Sequence, residues 1–460
     1  MLNLNEDAVA SRLEKPKSLH EVASDKYSPF VEKMQGLLVA GANTGPHIER
    51  RSIVNVVDMN VTCAAEELIP HDIRASQGIF FTGDQIAEKI ALSLSDDIDA
   101  GASFFDPSCG AGNLLLAVAK RFPIKKCLKD TVEFWGGRFG GCDLNESFIL
   151  AAKLRLVALA CQRHGVHEIS KSELNTYLQF FSYFHVGDYL GTALGADFDC
   201  IVANPPFGHI AASQDVSWST GKTQQAGVFV AQALNVGKSG QKIAAVLPDV
   251  LRCGTRYNKW RNLVEAESSI TAVDVYGRFS KSVDVDVFLL SVIVGARPID
   301  SHVDIWQSVV GNDSPAFVKL KELFEVRVGP VVPHRLKDQG VRVSYLTTQE
   351  APPFSTVAEL PEINFSGTLY SPPFVVVRRT SSPSDRNRLV PSLVQGCEPI
   401  AVENHLLIIS PRDRDVRSCL VLMDDLKDPR INEWLNAVSR CRHLTTKVLA
   451  DIDIVRERYE

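Results

Sequence analysis

The residues most suited to chemistry are Asn204, Pro205, Pro206 and Phe207, which directly follow the apolar run 198–203. That run reads as a buried strand, so the tetrapeptide stands at the strand's carboxyl end. Asn204 offers an amide oxygen, and Pro205 keeps its carbonyl in a loop that two prolines stiffen. Together these oxygens can accept both hydrogens of one exocyclic –NH2 group, while Phe207 supplies a ring face for a planar base. The tetrapeptide therefore predicts a site that presents the nitrogen of an aromatic amine to an electrophile.

Three acids stand in three successive loops upstream of the tetrapeptide: Asp106, Asp143 and Asp188. An acid in the first loop can hold a cationic amino acid moiety. An acid at the end of the second strand of a nucleotide-binding sheet grips ribose hydroxyls. The third acid could accept a hydrogen bond from an adenine amino group. Taken alone, Asp143 would be a helix N-cap and Asp188 a turn residue, but together they predict one extended nucleoside ligand.

A glycine-rich turn follows the first of these acids. Gly110 and Gly112 precede an apolar helical run, where glycines let the backbone turn sharply and approach a ligand. The spacing lacks the third glycine of dinucleotide enzymes and the Gly-Lys-Ser of a phosphate-binding loop. The turn is therefore interpreted together with the acids, as part of the nucleoside site.

The elements that must position these residues follow an alternating pattern. From about residue 103 to 300, short apolar runs alternate with helical segments, which predicts an α/β fold with a mostly parallel sheet and helices on both faces. Ligands of such sheets lie beyond the carboxyl ends of the strands. We expect a mostly helical segment 1–75, a catalytic domain 76–300 and a mixed C-terminal domain 301–460, where prolines and arginines increase.

Charge and cysteine content limit the function classes. The formal net charge of -6 excludes a uniformly basic nucleic-acid coat, but it allows a local basic groove. The ten cysteines form no C-x-x-C pair, so we expect reduced thiols and no metal. The N-terminal residues lack an apolar signal segment, and the apolar run from Val287 is too short to cross a bilayer. No membrane association is expected.

A second Pro-Pro-Phe at 372–374 differs from the first, because Ser371 replaces the amide and the apolar run follows the prolines. We interpret it as the start of a strand. Four arginines follow it in the chain: Arg378, Arg379, Arg386 and Arg388. They could form a local cationic cluster that binds phosphates of DNA. The alternative is that they lie on a solvated loop face.

The segments FFTGDQIA, DPSCGAGN, GCDLN, GDYL and NPPFG occur in this order. Their combination resembles the amino-methyltransferases of DNA, specifically the gamma-class adenine-N6 enzymes of restriction–modification systems. The resemblance covers about residues 78–300. It implies a Rossmann-like, S-adenosylmethionine-dependent methyltransferase sheet, followed at 301–460 by a target-recognition domain.

The resemblance implies one group of residues that binds S-adenosyl-L-methionine. Thr82 would contact the methionine carboxylate, and Asp143 would take the ribose hydroxyls. The full group is Thr82, Asp106, Pro107, Gly110, Gly112, Asp143, Asp188 and Tyr189. The gap between Gly112 and Asp143 is longer than the family usually shows.

The resemblance also implies a second group that holds a flipped target adenine. Asn204 and the Pro205 carbonyl would grip the amino group, and the base would stack between Phe207 and Phe279. The catalytic residues are Asn204, Pro205, Pro206 and Phe207. Many relatives carry Tyr where Phe207 stands.

Duplex DNA is the partner that the resemblance implies, in the cytoplasm of a bacterium. We find no P-D…E-x-K nuclease run, so cleavage would come from a separate cognate restriction endonuclease or be absent.

Three alternative functions share parts of the pattern. Enzymes that methylate a protein glutamine use a similar loop but are usually much shorter. Methylation of RNA adenine stays open. A non-catalytic DNA-binding subunit with a methylase fold is disfavoured because the set of site residues is intact.

Overall fold

The computed structural model describes residues 17–39, 56–57, 59–212, 216–295, 305–306 and 314–460. Parts of the predicted units 1–75 and 301–460 therefore lie outside the described residues. Within the described ranges, no helix is both long and apolar enough to cross a membrane.

Five described helices precede the first strand, and helices and strands are then interspersed up to residue 295. Helices span Leu19–Leu38, Val61–Leu68, His71–Gln77, Asp84–Ser93, Ser95–Asp99, Asn113–Arg121, Leu128–Gly136, Glu146–Arg163, Lys171–Phe180, Gln225–Val236, Asp249–Cys253, Asn258–Glu267, Leu320–Leu323, Val416–Asp425, Pro429–Val438 and Thr446–Ala450. Strands are β1 (Phe104–Asp106), β2 (Phe139–Asp143), β3 (Phe184–Val186), β4 (Cys200–Ala203), β5 (His209–Ala211), β6 (Lys222–Gln224), β7 (Lys242–Pro248), β8 (Ser268–Arg278), β9 (Asp286–Val294), β10 (Phe317–Lys319), β11 (Phe324–Val328), β12 (Val341–Leu346), β13 (Glu362–Phe365), β14 (Phe374–Arg378), β15 (Pro391–Val394), β16 (Ala401–Val402), β17 (Leu406–Pro411) and β18 (Asp453–Val455).

The central element is a seven-stranded sheet in the order β3-β2-β1-β4-β7-β9-β8. Strands β3, β2, β1, β4 and β7 are parallel, and β9 runs antiparallel to both β7 and β8. The predicted α/β class, a mostly parallel Rossmann-like sheet, is confirmed.

Both faces of the inner strands β1, β4 and β7 are buried, which explains why these strands read as unbroken apolar runs. Phe104 faces a core that includes the helix Asn113–Arg121, whereas the next residue, Phe105, faces a second core that includes the helix Gln225–Val236. Alternate residues of a strand point to opposite faces, so an apolar residue at every position is buried on one side or the other.

Parallel register brings the predicted site residues to one edge. Asp106 at the end of β1 pairs with Gly141 of β2, and Asp143 ends β2 two residues later. The tetrapeptide follows β4, which pairs with β1 on its other side. The carboxyl ends of the three strands therefore meet where a ligand binds in such sheets.

Gly112 has a packing role at this edge. Its φ is +80°, and a Cβ at this position would lie 2.9 Å from Ala152 Cβ. The absent side chain lets the start of the helix Asn113–Arg121 pack closely against the helix Glu146–Arg163.

The first described helix, Leu19–Leu38, begins with a capping box of Ser18 and Glu21. It packs against the helix Glu146–Arg163, where the Ser147 N–H donates to Ser24 Oγ at 3.0 Å. The Tyr27 ring makes an edge contact with Phe148 at 4.9 Å between centroids. This helix shares the hydrophobic core of the sheet domain, and the predicted boundary at residue 75 stays a prediction.

Residues 314–460 form separate sheets and cores. The larger sheet is antiparallel in the order β11-β17-β14-β15, and a second sheet has the order β13-β12-β16. The second Pro-Pro-Phe lies at the start of β14, which begins at Phe374. The interpretation of that segment as the start of a strand is confirmed.

Candidate active site

A pocket of about 270 Å³ opens at the carboxyl edge of the parallel strands. The predicted residues among its walls are Thr82, Asp106, Pro107, Gly110, Asp143, Asp188, Tyr189, Asn204 and Pro206. Four others stand outside the walls: Gly112, Pro205, Phe207 and Phe279. The structure thus gathers acids from three loops and the amide after β4 around one cavity.

The Asn204 side chain has a fixed orientation. Its Nδ2 donates to the Phe80 carbonyl at 3.1 Å, so the amide oxygen points the other way. That oxygen is buried and has no hydrogen-bond partner among the described residues. An unpaired buried acceptor costs on the order of 1–3 kcal/mol, so the fold tolerates it only where something else offsets the cost. The unpaired oxygen marks a place for a ligand's donor.

Two neighbouring loops brace the tetrapeptide. Ser108 Oγ, in the turn after β1, donates to the Asn204 carbonyl at 3.2 Å. On the other side, a Cβ at Gly78 would lie 2.7 Å from Pro206 Cβ, and Gly78 has φ +67°, which favours glycine. The backbone carrying Asn204 is therefore held between two loops, in addition to the stiffness that its prolines supply.

The two aromatic residues predicted to sandwich a base contact each other directly. The ring centroids of Phe207 and Phe279 are 5.1 Å apart with an interplanar angle of 81°. A base stacked between two rings needs them parallel and about 7 Å apart, twice a van der Waals contact distance. In this structure the predicted slot between the rings is closed. A base can occupy it only if one ring turns or the loop 279–285 between β8 and β9 shifts.

Asp106 is almost fully buried, with a relative exposure of 2%. Its carboxyl accepts one hydrogen bond, from the Ser108 N–H at 3.0 Å. Burial raises the pKa of Asp106 to about 8, and the nearby Asp143 carboxylate adds to the rise. A carboxyl in this state favours a cationic partner, which would offset the cost of its ionised form.

The Asp143 carboxylate accepts more hydrogen bonds than the Asp106 carboxyl does. Its Oδ2 accepts from the Gly110 N–H at 3.0 Å, and its Oδ1 accepts from the Asn145 N–H at 2.8 Å. Burial raises the pKa of Asp143, while these hydrogen bonds act in the opposite direction. Oδ1 also accepts from Asn145 Nδ2 at 3.0 Å, so Oδ2 is the oxygen that keeps a further lone pair for a ligand hydroxyl. One oxygen of Asp143 is therefore available for the predicted contact with a ribose hydroxyl.

At the far end of the pocket, Asp188 is exposed and accepts from the Leu190 N–H at 3.0 Å. Tyr189 is buried beside Phe229, with ring centroids 5.4 Å apart. Burial raises the pKa of the Tyr189 hydroxyl, which has no hydrogen-bond partner among the described residues. An exposed acid, an unpaired hydroxyl and an aromatic wall together suit the base of a nucleoside ligand.

Several wall residues were not predicted from the sequence. His20, near the start of the helix Leu19–Leu38, lines the pocket, and burial lowers the pKa of its ring although Asp143 and Asp188 act to raise it. Asn113 also lines it and donates through Nδ2 to the Thr82 carbonyl at 2.6 Å. His20 gave no signal because the helix that carries it comes far before the motifs in the chain. Asn113 was visible as the residue after Gly112, at the start of a predicted helix.

The prediction that Arg388 belongs to a DNA-binding cationic cluster is wrong. Its side chain is fully buried, and its guanidinium donates to the Cys441 carbonyl at 2.6 Å and to Asn436 Oδ1 at 3.1 Å. These contacts hold the chain after the helix Pro429–Val438, so Arg388 has a structural role and does not face a phosphate. Arg378 and Arg386 are exposed and Arg379 is half-buried.

Part of the chain is similar to a known protein family. Residues 71–276 match the family model described as N-6 DNA Methylase. No curated protein matches the chain.

Solved structures with similar folds come from restriction–modification systems. The type IIL restriction-modification enzyme MmeI in complex with DNA is 11% identical, with a TM-score of 0.53 over 88% of this chain and 71% of that one. The type IIG restriction endonuclease BpuSI is 12% identical, with a TM-score of 0.45 over 95% and 70%. A modification subunit assigned to a type I restriction enzyme from Vibrio vulnificus YJ016 is 15% identical, with a TM-score of 0.38 over 56% and 52%.

The chain spans about half the length of that type I modification subunit, at 52%. The match to MmeI supports the fold. The part of the chain that is similar to the N-6 DNA Methylase family, residues 71–276, contains every wall residue of the pocket named above except His20.

Proposed function

We propose that the protein transfers a methyl group from S-adenosylmethionine to the N6 amino group of an adenine flipped out of duplex DNA. The observation that carries the proposal is the buried, unpaired amide oxygen of Asn204, at the edge of a pocket lined by three acids. An exocyclic amino group has the two donors that this oxygen and the Pro205 carbonyl can accept. The similarity to the N-6 DNA Methylase family supports DNA adenine as the substrate.

The pocket residues fit the methyl donor in their chemistry. Buried Asp106 suits its positive charge, Asp143 its ribose hydroxyls, and Asp188 with Tyr189 the edge of its adenine. His20 also lines the pocket, near Asp143 and Asp188. When bound, S-adenosylmethionine supplies an electrophilic methyl carbon.

The residues of the chain act mainly by positioning. The Asn204 oxygen and the Pro205 carbonyl hold the two amino hydrogens, which directs the nitrogen lone pair away from them and towards the cofactor pocket. Alignment of this kind accounts for much of the rate of a bimolecular transfer. The amino proton leaves to solvent after the new bond has formed. Unstacking the base costs a few kcal/mol, which stacking on Phe207 and the hydrogen bonds of the pocket offset.

The C-terminal region is the proposed target-recognition domain. The similarity in fold to MmeI, solved in complex with DNA, extends over 88% of this chain and so includes part of this region. Exposed Arg378 and Arg386 would contact DNA phosphates rather than base edges.

Transfer of a labelled methyl group tests the proposed function. Purified protein is incubated with labelled S-adenosylmethionine and either duplex DNA of mixed sequence, RNA or a glutamine-containing protein substrate, and the products are hydrolysed and identified by mass spectrometry. We expect N6-methyladenine in the DNA sample alone. Label in RNA adenine or in protein glutamine, with none in DNA, would replace the proposal with one of those alternatives.

Asp143→Ala is expected to weaken cofactor affinity about tenfold to a hundredfold. The loss corresponds to one hydrogen bond to a charged group, worth about 1.5–3 kcal/mol. Calorimetric titration with S-adenosylmethionine measures the change, and Asp274→Ala, on the exposed face of β8, is the matched control. Unchanged affinity in Asp143→Ala would remove the ribose contact from Asp143.

The raised pKa of Asp106 makes cofactor binding depend on pH. With its pKa at about 8 in the free protein, the carboxyl is mostly protonated at neutral pH, and a bound cation would lower that pKa. Binding therefore releases a proton, so affinity should rise between about pH 6 and pH 7.5. Titrations in buffers of different ionisation enthalpy measure the released proton. Asp106→Asn should bind less tightly and lose this dependence, whereas the same slope in the variant would assign the proton to another group, such as His20.

A further inference from the structure

Two thiols from distant parts of the chain meet where the sheet domain contacts the C-terminal region. Cys253 ends the helix Asp249–Cys253 that follows β7, and Cys441 follows the helix Pro429–Val438. Their Sγ atoms are 3.1 Å apart. A disulfide needs about 2.05 Å, so the sulfurs must approach by about 1 Å to bond.

Hydrogen bonds on both sides hold this pair together without a covalent link. The Arg440 N–H donates to Asp249 Oδ2 at 2.9 Å, which joins the chain beside Cys441 to the helix that carries Cys253. Ser439 Oγ donates to Cys253 Sγ at 3.3 Å. From the other side, Arg388 donates to the Cys441 carbonyl at 2.6 Å. We call residues 439–443 the junction segment.

The pKa values of the two thiols are shifted in opposite directions. Cys253 Sγ also donates to Asp249 Oδ2 at 3.2 Å, which keeps Cys253 as a thiol, and the hydrogen bond between the sulfurs lowers the pKa of Cys441 and raises that of Cys253. Both side chains are partly exposed. By contrast, Cys142 and Cys161 are buried, and burial raises the pKa of each to about 12. Thiolate character and access together determine which cysteines react. Access separates this pair from the buried cysteines, and the lowered pKa makes Cys441 the attacking group of the pair.

A metal site is the competing interpretation of the same residues, since Asp249, Cys253 and Cys441 offer ligand atoms within 4.8 Å of one another. Both oxygens of Asp249 are already engaged: Arg252 donates to Oδ1 at 2.6 Å and to Oδ2 at 3.2 Å. The Arg252 side chain is fully buried against this carboxylate, so a cation there would displace a buried ion pair and meet a positive charge. The geometry favours oxidation over metal binding.

We propose that Cys253 and Cys441 are a modification site, which hydrogen peroxide oxidises to a reversible disulfide. The Cys441 thiolate attacks one peroxide oxygen, the O–O bond breaks, and the departing hydroxide takes a proton to become water. The Cys253 sulfur then displaces the remaining hydroxyl from Cys441 as a second water, and the S–S bond forms. Two thiols are oxidised and one peroxide is reduced to two waters.

The junction segment also contacts the hairpin that carries Phe279. Arg440 Nε donates to Asp286 Oδ1 at 2.6 Å, and Arg442 forms an ion pair with Asp284. A disulfide would fix this segment to the helix after β7, and with it the loop 279–285. Since Phe279 must separate from Phe207 before a base can enter, oxidation should slow methyl transfer. This consequence rests on the proposed function, whereas the disulfide itself does not.

Peptide mapping tests the disulfide independently of activity. Reduced full-length protein is treated with hydrogen peroxide, alkylated and digested, and the peptides are identified by mass spectrometry. We expect a linked peptide pair containing Cys253 and Cys441, which dithiothreitol cleaves. Cys253→Ser and Cys441→Ser should each abolish it, and Cys397→Ser, at an exposed cysteine, should leave it unchanged.

Two results would overturn the disulfide. One is full alkylation of both thiols after peroxide treatment under conditions that oxidise Cys397. The other is stoichiometric zinc in the purified protein, released by a chelator. If the linked pair forms, we further expect a several-fold lower rate of DNA methylation in oxidised wild-type protein, restored by dithiothreitol and absent in Cys253→Ser. An unchanged rate would reject the effect on methylation, and a protein that methylates no DNA would instead contradict the proposed function.

Discussion

Asn204→Ala is expected to lower methyl transfer to DNA by about 100- to 1000-fold, the loss seen when one preorganised hydrogen-bonding group is removed from a reacting centre. The amide oxygen is the acceptor that the structure leaves unpaired. Without it, one amino hydrogen of the target base has no partner, and the nitrogen lone pair is no longer directed at the methyl group. Cofactor affinity should stay within about twofold of wild type, because the methyl donor is held by residues of other loops.

Single-turnover methylation and calorimetric titration separate these two effects. Asn204→Ser keeps one acceptor and should fall between wild type and Asn204→Ala, while Asn364→Ala on exposed β13 is the matched control. Full transfer by Asn204→Ala would remove the catalytic role from Asn204. Loss of cofactor binding in the same variant would show that the change had disturbed the braced loop as a whole.

Phe207→Ala is expected to lower kcat/KM for DNA by about 5- to 150-fold, since stacking on an aromatic ring is worth about 1–3 kcal/mol per base. Phe207→Tyr preserves the ring and should retain most activity. Fluorescence of 2-aminopurine at the target position reports the flipped base directly. It should rise on binding to wild type and to Phe207→Tyr, and less on binding to Phe207→Ala.

The contact between Phe207 and Phe279 predicts different effects for alanine substitutions of the two rings. Their edge-to-face packing fills the space that a base would take, so each ring both stabilises the closed site and obstructs it. Phe279→Ala should therefore reduce activity less than Phe207→Ala, because it also removes the obstruction. Equal, full activity in both variants would exclude stacking of the target base at this position.

The sequence could predict the sheet and the convergence of the acids, because both depend on local pattern. Buried parallel strands read as apolar runs, and the residue after each run must lie at the carboxyl edge. Asp106, Asp143 and Asn204 needed no long-range information to be placed together. The orientation of the Asn204 amide did need it, because the Phe80 carbonyl that fixes this amide belongs to a distant loop.

Other features depended on tertiary packing. Arg388 resembles its neighbouring arginines in sequence, but it is buried against the chain after the helix Pro429–Val438. Gly112 looked like a ligand-facing glycine, whereas its missing side chain accommodates Ala152. Cys253 and Cys441 are 188 positions apart, and no periodicity connects them.

A structure of the protein with duplex DNA and a non-transferable cofactor analogue tests the central claim most directly. The measured quantity is the distance from Asn204 Oδ1 to the nearest exocyclic nitrogen of a DNA base. We expect an adenine outside the helix with its N6 about 3 Å from that oxygen and its ring stacked on Phe207. A flipped base whose amino group is held elsewhere, with Oδ1 still unpaired, would contradict the account.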